Sequence, residues 1–266
     1  MAHQESNLSS VSEAYSLICR DSTKARGSVV LFHGLTGTPA EMRGLATSLH
    51  NMNFNVIVPR LSGHGETIEA LRTVSAQVWR DEARRAADEA AALGGPLSFA
   101  GLSFGGLLAL DAAAAFPRCA SLVLMSVPTF LEPCGREFWL RVLSYLPDVA
   151  VDRLWLKNKT KRREGYLALA HHAYSKHSVG AAVRLVQIRR SVFKTLGRLR
   201  CPVLIFQDPL DHHLPPTASL VLQDYLVNSD STLCCVPDGQ HELLLGHKHQ
   251  FVIERSSQFI DANSVD

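Results

Sequence analysis

Residues 101–106 read Gly-Leu-Ser-Phe-Gly-Gly, between an apolar run, Leu97-Ser98-Phe99-Ala100, and an apolar, alanine-rich run from Leu107 to Ala115. The first run reads as a strand and the second as a helix. A serine with glycine two residues to either side, at a strand-to-helix junction, describes a nucleophile elbow. The reason is steric. In so sharp a turn, side chains at positions 101 and 105 would collide with neighbouring backbone, so glycine is required. The Ser103 hydroxyl then stands at the strand's carboxyl end. The next helix points its amino terminus there, where free N–H groups and partial positive charge favour a developing oxyanion.

The same junction explains the longest uncharged run, the 21 residues from Ala90 to Leu110. Its length suits a membrane span, but Gly94, Gly95, Pro96, Gly101, Gly105 and Gly106 break it into loop, strand, elbow and helix. The polar start, Met1-Ala2-His3-Gln4-Glu5, has no apolar signal region. With 46% hydrophobic and 20% charged residues in 266, the chain is expected to be a soluble, cytoplasmic protein. None of the six cysteines forms a Cys-x-x-Cys pair, so free thiols are expected. His171-His172 and His247-x-His249 lack partners at metal-ligand spacing; no metal and no cofactor are expected.

Strand and helix patterns alternate along the chain. Strands are expected at 28–33, 55–58, 97–100, 122–125, 202–206 and 232–236. Helices are expected from Pro39 through Leu49 and at 76–92, 107–115, 216–227 and 247–261. Such alternation gives an α/β fold with a mostly parallel sheet covered on both faces. Active sites in such folds lie at the carboxyl ends of the strands.

A serine hydroxyl needs a general base, and the base needs a carboxylate to fix its tautomer. In this topology the chain order is Ser, then Asp or Glu, then His. The strand ending at Phe206 runs into Gln207-Asp208-Pro209-Leu210-Asp211-His212-His213. Asp208 and Asp211 compete for the acid; Asp208 precedes a proline and suits turn shaping, whereas Asp211 is better placed to reach across the sheet. His241 follows the last strand in Pro237-Asp238-Gly239-Gln240-His241 and is the preferred base. His212 and His213 adjoin the acid, and His247 and His249 fall in the final helical region. The oxyanion donors are expected to be the N–H of Phe104, just after the nucleophile, and that of Leu35 in His33-Gly34-Leu35-Thr36-Gly37. His33 precedes the nucleophile and is assigned to bracing that loop.

Together, His33-Gly34-Leu35-Thr36-Gly37, Gly63-His64-Gly65, Gly101-Leu102-Ser103-Phe104-Gly105-Gly106, Asp211 and His241 resemble the α/β-hydrolase superfamily. Within it they are most similar to the bacterial carboxylesterase and monoacylglycerol lipase group. The similarity covers residues 27–128 and 200–262. It implies an α/β-hydrolase core of residues 1–128 and 200–266, with a helical cap inserted at 129–199. It also implies cofactor-free hydrolysis of carboxylic esters through an acyl-enzyme, with Ser103 as nucleophile, Asp211 as acid, His241 as base, and Leu35 and Phe104 as oxyanion donors. His64 would brace the Gly63–Gly65 turn. One departure is Gln240, where many relatives carry glycine before the histidine.

Residues 129–199 break the alternation and look helical. Trp139, Val142, Leu143 and Leu146 fall at i, i+3, i+4 and i+7 in a helix from Arg136 to Leu146, which predicts one apolar face. That face either packs on the core or lines an acyl pocket, with Phe138, Trp139 and Leu143 as the substrate-binding candidates. Positions 129–200 carry fifteen Lys and Arg against five Asp and Glu, although the whole chain is only +2. The cluster Lys157, Lys159, Lys161, Arg162, Arg163 is read first as a solvated face. Two functional readings stand beside it: attraction of an anionic substrate, and weak contact with an anionic membrane surface.

The expected activity is that of a serine hydrolase acting on short- or medium-chain esters or monoacylglycerols. A thioesterase or acyltransferase using carrier-linked acyl groups is one alternative, and a non-catalytic small-ligand receptor on the same fold is another. The expected partner is a small-molecule ester and not nucleic acid; monomer and homodimer both remain open.

Overall fold

In the computed structural model, residues 12–131, 133–152, 156–158 and 176–264 are described. A short strand β1 (Tyr15–Leu17) precedes β2 (Ser28–Phe32). A 3-10 turn (Pro39–Met42) leads into α1 (Arg43–Asn51), and β3 (Asn55–Val58), α2 (Ile68–Thr73) and α3 (Ala76–Ala92) follow. Next come β4 (Leu97–Leu102), α4 (Phe104–Ala115) and β5 (Cys119–Met125). After β5 come α5 (Cys134–Leu143), α6 (Asp148–Val151), β6 (Leu156–Asn158), β7 (Lys176–Ser178) and α7 (Val179–Val192). The chain closes with β8 (Val203–Gln207), α8 (Ala218–Tyr225), β9 (Ser231–Cys235) and α9 (His249–Ala262).

Seven strands form one sheet in the order β1-β3-β2-β4-β5-β8-β9. Only β1 runs antiparallel to its neighbour. Every residue of β2, β3, β4 and β8 is buried, because helices cover both faces of the central strands. One core lies between the sheet and α3, α4 and α7, and the other beneath α1 and α9. Helix α4 packs between sheet and neighbouring helices and is buried on ten consecutive positions, Phe104 to Ala113. Its apolar all-round sequence therefore needs no polar face. The one charge in it, Asp111, takes two 2.8 Å bonds from the Arg80 guanidinium.

The uncharged run from Ala90 to Leu110 is split among the end of α3, a turn, β4 and the start of α4. Among the described residues no helix is long and apolar enough to cross a membrane.

Three expectations need correction. The helix expected from Pro39 begins as a 3-10 turn, and β1 was not foreseen. Residues 129–199, expected to be helical, also hold β6 and β7, which pair antiparallel. The helix expected from Arg136 to Leu146 is α5, which ends at Leu143, and its apolar stripe does not pack on the core: Glu137 and Leu140 are buried and Leu143 is half-buried, while Trp139 is 63% exposed and Val142, with Leu146 beyond the helix, is also exposed. Glu137 turns inward to Arg189 of α7, whose guanidinium pairs with both Glu137 carboxylate oxygens and donates to the Pro128 carbonyl. Separating such a buried pair leaves an uncompensated charge. Of the basic cluster, only the backbone of Lys157 lies among the described residues, in β6; Lys159, Lys161, Arg162 and Arg163 lie outside them.

Candidate active site

Ser103 sits between β4 and α4 with φ +53° and ψ −116°. A non-glycine residue held there stores roughly 1–3 kcal/mol of strain, which the surroundings must over-determine. They do so through backbone packing. A Cβ on Gly101 would lie 2.2 Å from the Gly105 carbonyl oxygen, and one on Gly105 would lie 2.1 Å from that of Phe32. The Ser103 N–H donates to the Met125 carbonyl at 2.7 Å, tying the elbow to β5.

Two loops from the carboxyl ends of β8 and β9 reach the same point. His241 Nε2 lies 2.9 Å from Ser103 Oγ, and its Nδ1 lies 2.7 Å from Asp211 Oδ2. The other Asp211 oxygen accepts the backbone N–H groups of His213 at 2.7 Å and Leu214 at 3.3 Å. With Nδ1 donating to the carboxylate, Nε2 is left as the acceptor facing the hydroxyl. Burial pushes the His241 pKa down, but the hydrogen bond and charge of Asp211 outweigh it, helped by the charges of Glu242 and Glu41, and the imidazole sits above its ordinary value. For Asp211, burial pushes up, and the His241 bond and charge, with the His213 N–H, win and hold the carboxyl below its ordinary value.

The expected oxyanion donors lie beside this contact. Phe104 is the first residue of α4, so its N–H has no intrahelical acceptor. Leu35 lies in a tight turn closed by the Gly37 N–H donating to the Gly34 carbonyl at 3.1 Å. The turn is held from beneath. His33 Nε2 accepts the Leu61 N–H at 3.3 Å, so its Nδ1 is the donor to the Gly34 carbonyl at 3.0 Å. His64 stands edge-on to His33 at 4.8 Å, with its Nδ1 3.2 Å from the Leu61 and Ser62 carbonyls. Burial drives His33 down to about 3 and His64 down to about 4, so both stay neutral near pH 7 and brace by hydrogen bonding rather than by charge.

Two further carboxylates hold this site, Glu41, which the sequence does not point to, and Asp208, whose partner beyond its own turn it does not reveal. Glu41, buried in the 3-10 turn, accepts the Gly34 N–H at 2.9 Å. Gly37 lies directly on it, for a Cβ there would come within 2.1 Å of the carboxylate. Asp208 does more than shape its own turn: one oxygen accepts the Leu210 N–H at 2.9 Å, and the other accepts the N–H of Gln240, just before the imidazole, at 2.8 Å. Spacing to a helix start or a proline gives no hint of either partner. His213 lies edge-on against the His241 ring at 4.8 Å.

The structure thus brings Ser103, Asp211 and His241 together, with Leu35 and Phe104 in the adjoining turn and helix start. Phe138, Trp139 and Leu143 lie apart from them in sequence on α5, where the Phe138 and Trp139 rings pack edge-to-face at 5.6 Å. Among the described residues no group of His, Cys, Asp or Glu is arranged to hold a metal. Chemically, a hydroxyl aligned with an imidazole acceptor that a carboxylate orients can attack an electrophilic carbonyl.

A family model described as serine aminopeptidase, S33 matches residues 23–247. The chain is 26% identical over 233 residues to a thermostable monoacylglycerol lipase of Bacillus sp. (strain H-257), covering 87% of this chain and 89% of the relative. A solved structure from work on LipS and LipT, two metagenome-derived lipolytic enzymes, is 27% identical, with a TM-score of 0.81 over 94% of this chain and 98% of the other. The monoacylglycerol lipase of Paleococcus ferrophilus shares the fold at 19% identity, with a TM-score of 0.75 over 95% and 100% of the two chains.

Proposed function

The chain belongs to the serine aminopeptidase S33 family, on the α/β-hydrolase fold, and from that premise we propose that it hydrolyses carboxylic esters of the monoacylglycerol or short- to medium-chain type. The observation that carries the reading is the continuous contact from Asp211 through His241 to Ser103, at 2.7 and 2.9 Å. Similarity to a monoacylglycerol lipase and to lipolytic enzymes over nearly the whole chain supports esters as the substrate class.

In this mechanism Ser103 Oγ attacks the ester carbonyl as His241 Nε2 takes its proton. The tetrahedral oxyanion is held by the N–H groups of Leu35 and Phe104. Asp211 keeps Nδ1 protonated and stabilises the imidazolium that forms. His241 then delivers the proton to the leaving alcohol, leaving an acyl group on Ser103. Water, deprotonated by the same imidazole, releases the acid. Residues 129–199 are proposed as the cap over this site, with Phe138, Trp139 and Leu143 of α5 offering apolar surface to the acyl chain.

Labelling with a fluorophosphonate, followed by turnover of a panel of p-nitrophenyl esters, monoacylglycerols, acyl-CoA thioesters and aminoacyl anilides, tests the proposal. Wild type is expected to label and to turn over the oxygen esters fastest. Ser103→Ala is expected not to label and to lose about 10⁴- to 10⁶-fold in kcat. Near wild-type turnover by that variant overturns the assignment, and a preference for thioesters or anilides overturns the substrate class.

A further inference from the structure

We propose that Cys119 and Cys201 form a dithiol modification site, which a peroxide-class oxidant converts into a disulfide joining the start of β5 to the residue just before β8. The first observation is a β-bulge. On β4, Leu97 stands opposite Cys119 and Ser98 opposite Ser121, so Ala120 is an extra residue in β5. In a regular strand Cys119 would share a face with Ser121 and Val123, and Val123 belongs to the core beneath α1 and α9. The extra residue turns Cys119 to the other side. There it packs against the core beneath α3, α4 and α7, the core that also contains Cys201. Register brings the two strands together at this end: Leu122 pairs with Val203, and the Leu122 N–H donates to the Pro202 carbonyl at 3.0 Å.

The second observation is a shared cavity. Its two thiols are Cys119, which donates to the Ser121 carbonyl at 3.5 Å, and Cys201. Both line one cavity of about 190 Å³, together with Phe116, Arg198 and Arg200. Arg200 is held in place by donating to the Gly197 and Leu199 carbonyls. Cys119 is half-buried and Cys201 buried, and the cavity they line gives a small oxidant a route to the pair. The neighbouring thiol favours the Cys201 thiolate and disfavours that of Cys119, so Cys201 is taken as the attacking sulfur.

The chemistry balances. The Cys201 thiolate attacks one peroxide oxygen; the S–O bond forms, the O–O bond breaks, and the departing hydroxide takes a proton to become water. Cys119 then gives up its thiol proton and attacks the sulfenic sulfur. The S–S bond forms, the S–O bond breaks, and hydroxide leaves as a second water. Two thiols lose two electrons in all, and one hydrogen peroxide becomes two waters. The site lies at the amino end of β5, about 20 Å along a seven-residue strand from the end that meets Ser103. The disulfide is therefore expected to leave ester turnover unchanged while enclosing the whole insertion in a covalent loop.

The test treats the full-length protein with a few equivalents of hydrogen peroxide, alkylates the remaining thiols and maps the peptides by mass spectrometry. The expected result is one cross-link between the peptides of Cys119 and Cys201, with loss of two hydrogens and reversal by dithiothreitol. It should persist in a Cys19→Ser/Cys134→Ser/Cys234→Ser/Cys235→Ser protein. The melting temperature of oxidised protein should exceed that of reduced protein by about 5 °C or more. Full alkylation of both thiols after peroxide, separate over-oxidation without a cross-link, or a cross-link to another cysteine overturns the proposal. These outcomes do not depend on whether the protein cleaves esters.

Discussion

The Asp208 carboxylate accepts the Gln240 N–H at 2.8 Å, and this bond fastens the loop carrying Asp211 to the loop carrying His241. Gln240 is held at φ +65°, a left-handed conformation that glycine adopts more freely. Asp208 is therefore the anchor for a strained residue next to the imidazole.

Removing that anchor should loosen the base without removing it. Asp208→Ala is expected to lower kcat/KM on an ester substrate by about 10- to 100-fold, as a small misplacement of a reacting group does. Asp208→Asn keeps one acceptor oxygen and should lose less. Steady-state kinetics beside a melting curve decide the matter: a loss that only tracks global unfolding would remove Asp208 from the positioning role.

The pH profile follows from the direction of the His241 shift. The base must be neutral, and Asp211 favours its protonated form, so kcat/KM should rise with pH through a midpoint above the ordinary 6.5. Activity is lost as pH falls through that midpoint. Asp211→Asn removes the favouring charge; the midpoint should fall and the rate should drop by about 10⁴-fold. A profile with its midpoint unmoved in the variant would contradict the link.

Glu41 accepts the Gly34 N–H, one residue before Leu35. Glu41→Gln retains an acceptor and removes a charge that favours protonated His241, so its acid limb should shift to lower pH with kcat largely kept. Glu41→Ala leaves a buried N–H unpaired, worth about 1–3 kcal/mol of stability, and should lower kcat as well. Equal behaviour of the two variants in both pH profile and turnover would argue against this division.

The buried pair of Glu137 and Arg189 orients α5 against α7. Glu137→Ala strands a buried guanidinium and should cost about 3–5 kcal/mol in denaturant unfolding, whereas replacing both partners with apolar residues of similar volume should cost far less. A small loss in the single variant would show that Arg189 finds another partner.

Much of the core was legible because its signals are local. Strands β2 and β3 are short apolar runs, and α3 matches its periodic pattern from Ala76 to Ala92. The bond of β1 to β3 was not legible, since a three-residue edge strand is defined by its partner and not by its own pattern. Period shows that α5 has an apolar stripe but not whether the stripe packs on the core, because it cannot see the Glu137 partner, Arg189, on another helix. The bulge at Ala120 leaves no mark in a run of ordinary strand residues.

What the chain determines by itself is the elbow and the order of its partners. Glycine at 101 and 105 is demanded by backbone clashes that any such turn would produce, and Ser103, Asp211 and His241 each follow a recognisable strand. Distance is what only the tertiary structure decided. Side chains 138 and 30 residues apart from His241 reach 2.9 and 2.7 Å because β4, β8 and β9 end at one edge of a single sheet. Asp208 and Cys119 acquire their neighbours Gln240 and Cys201 the same way, through long-range packing that no local pattern encodes.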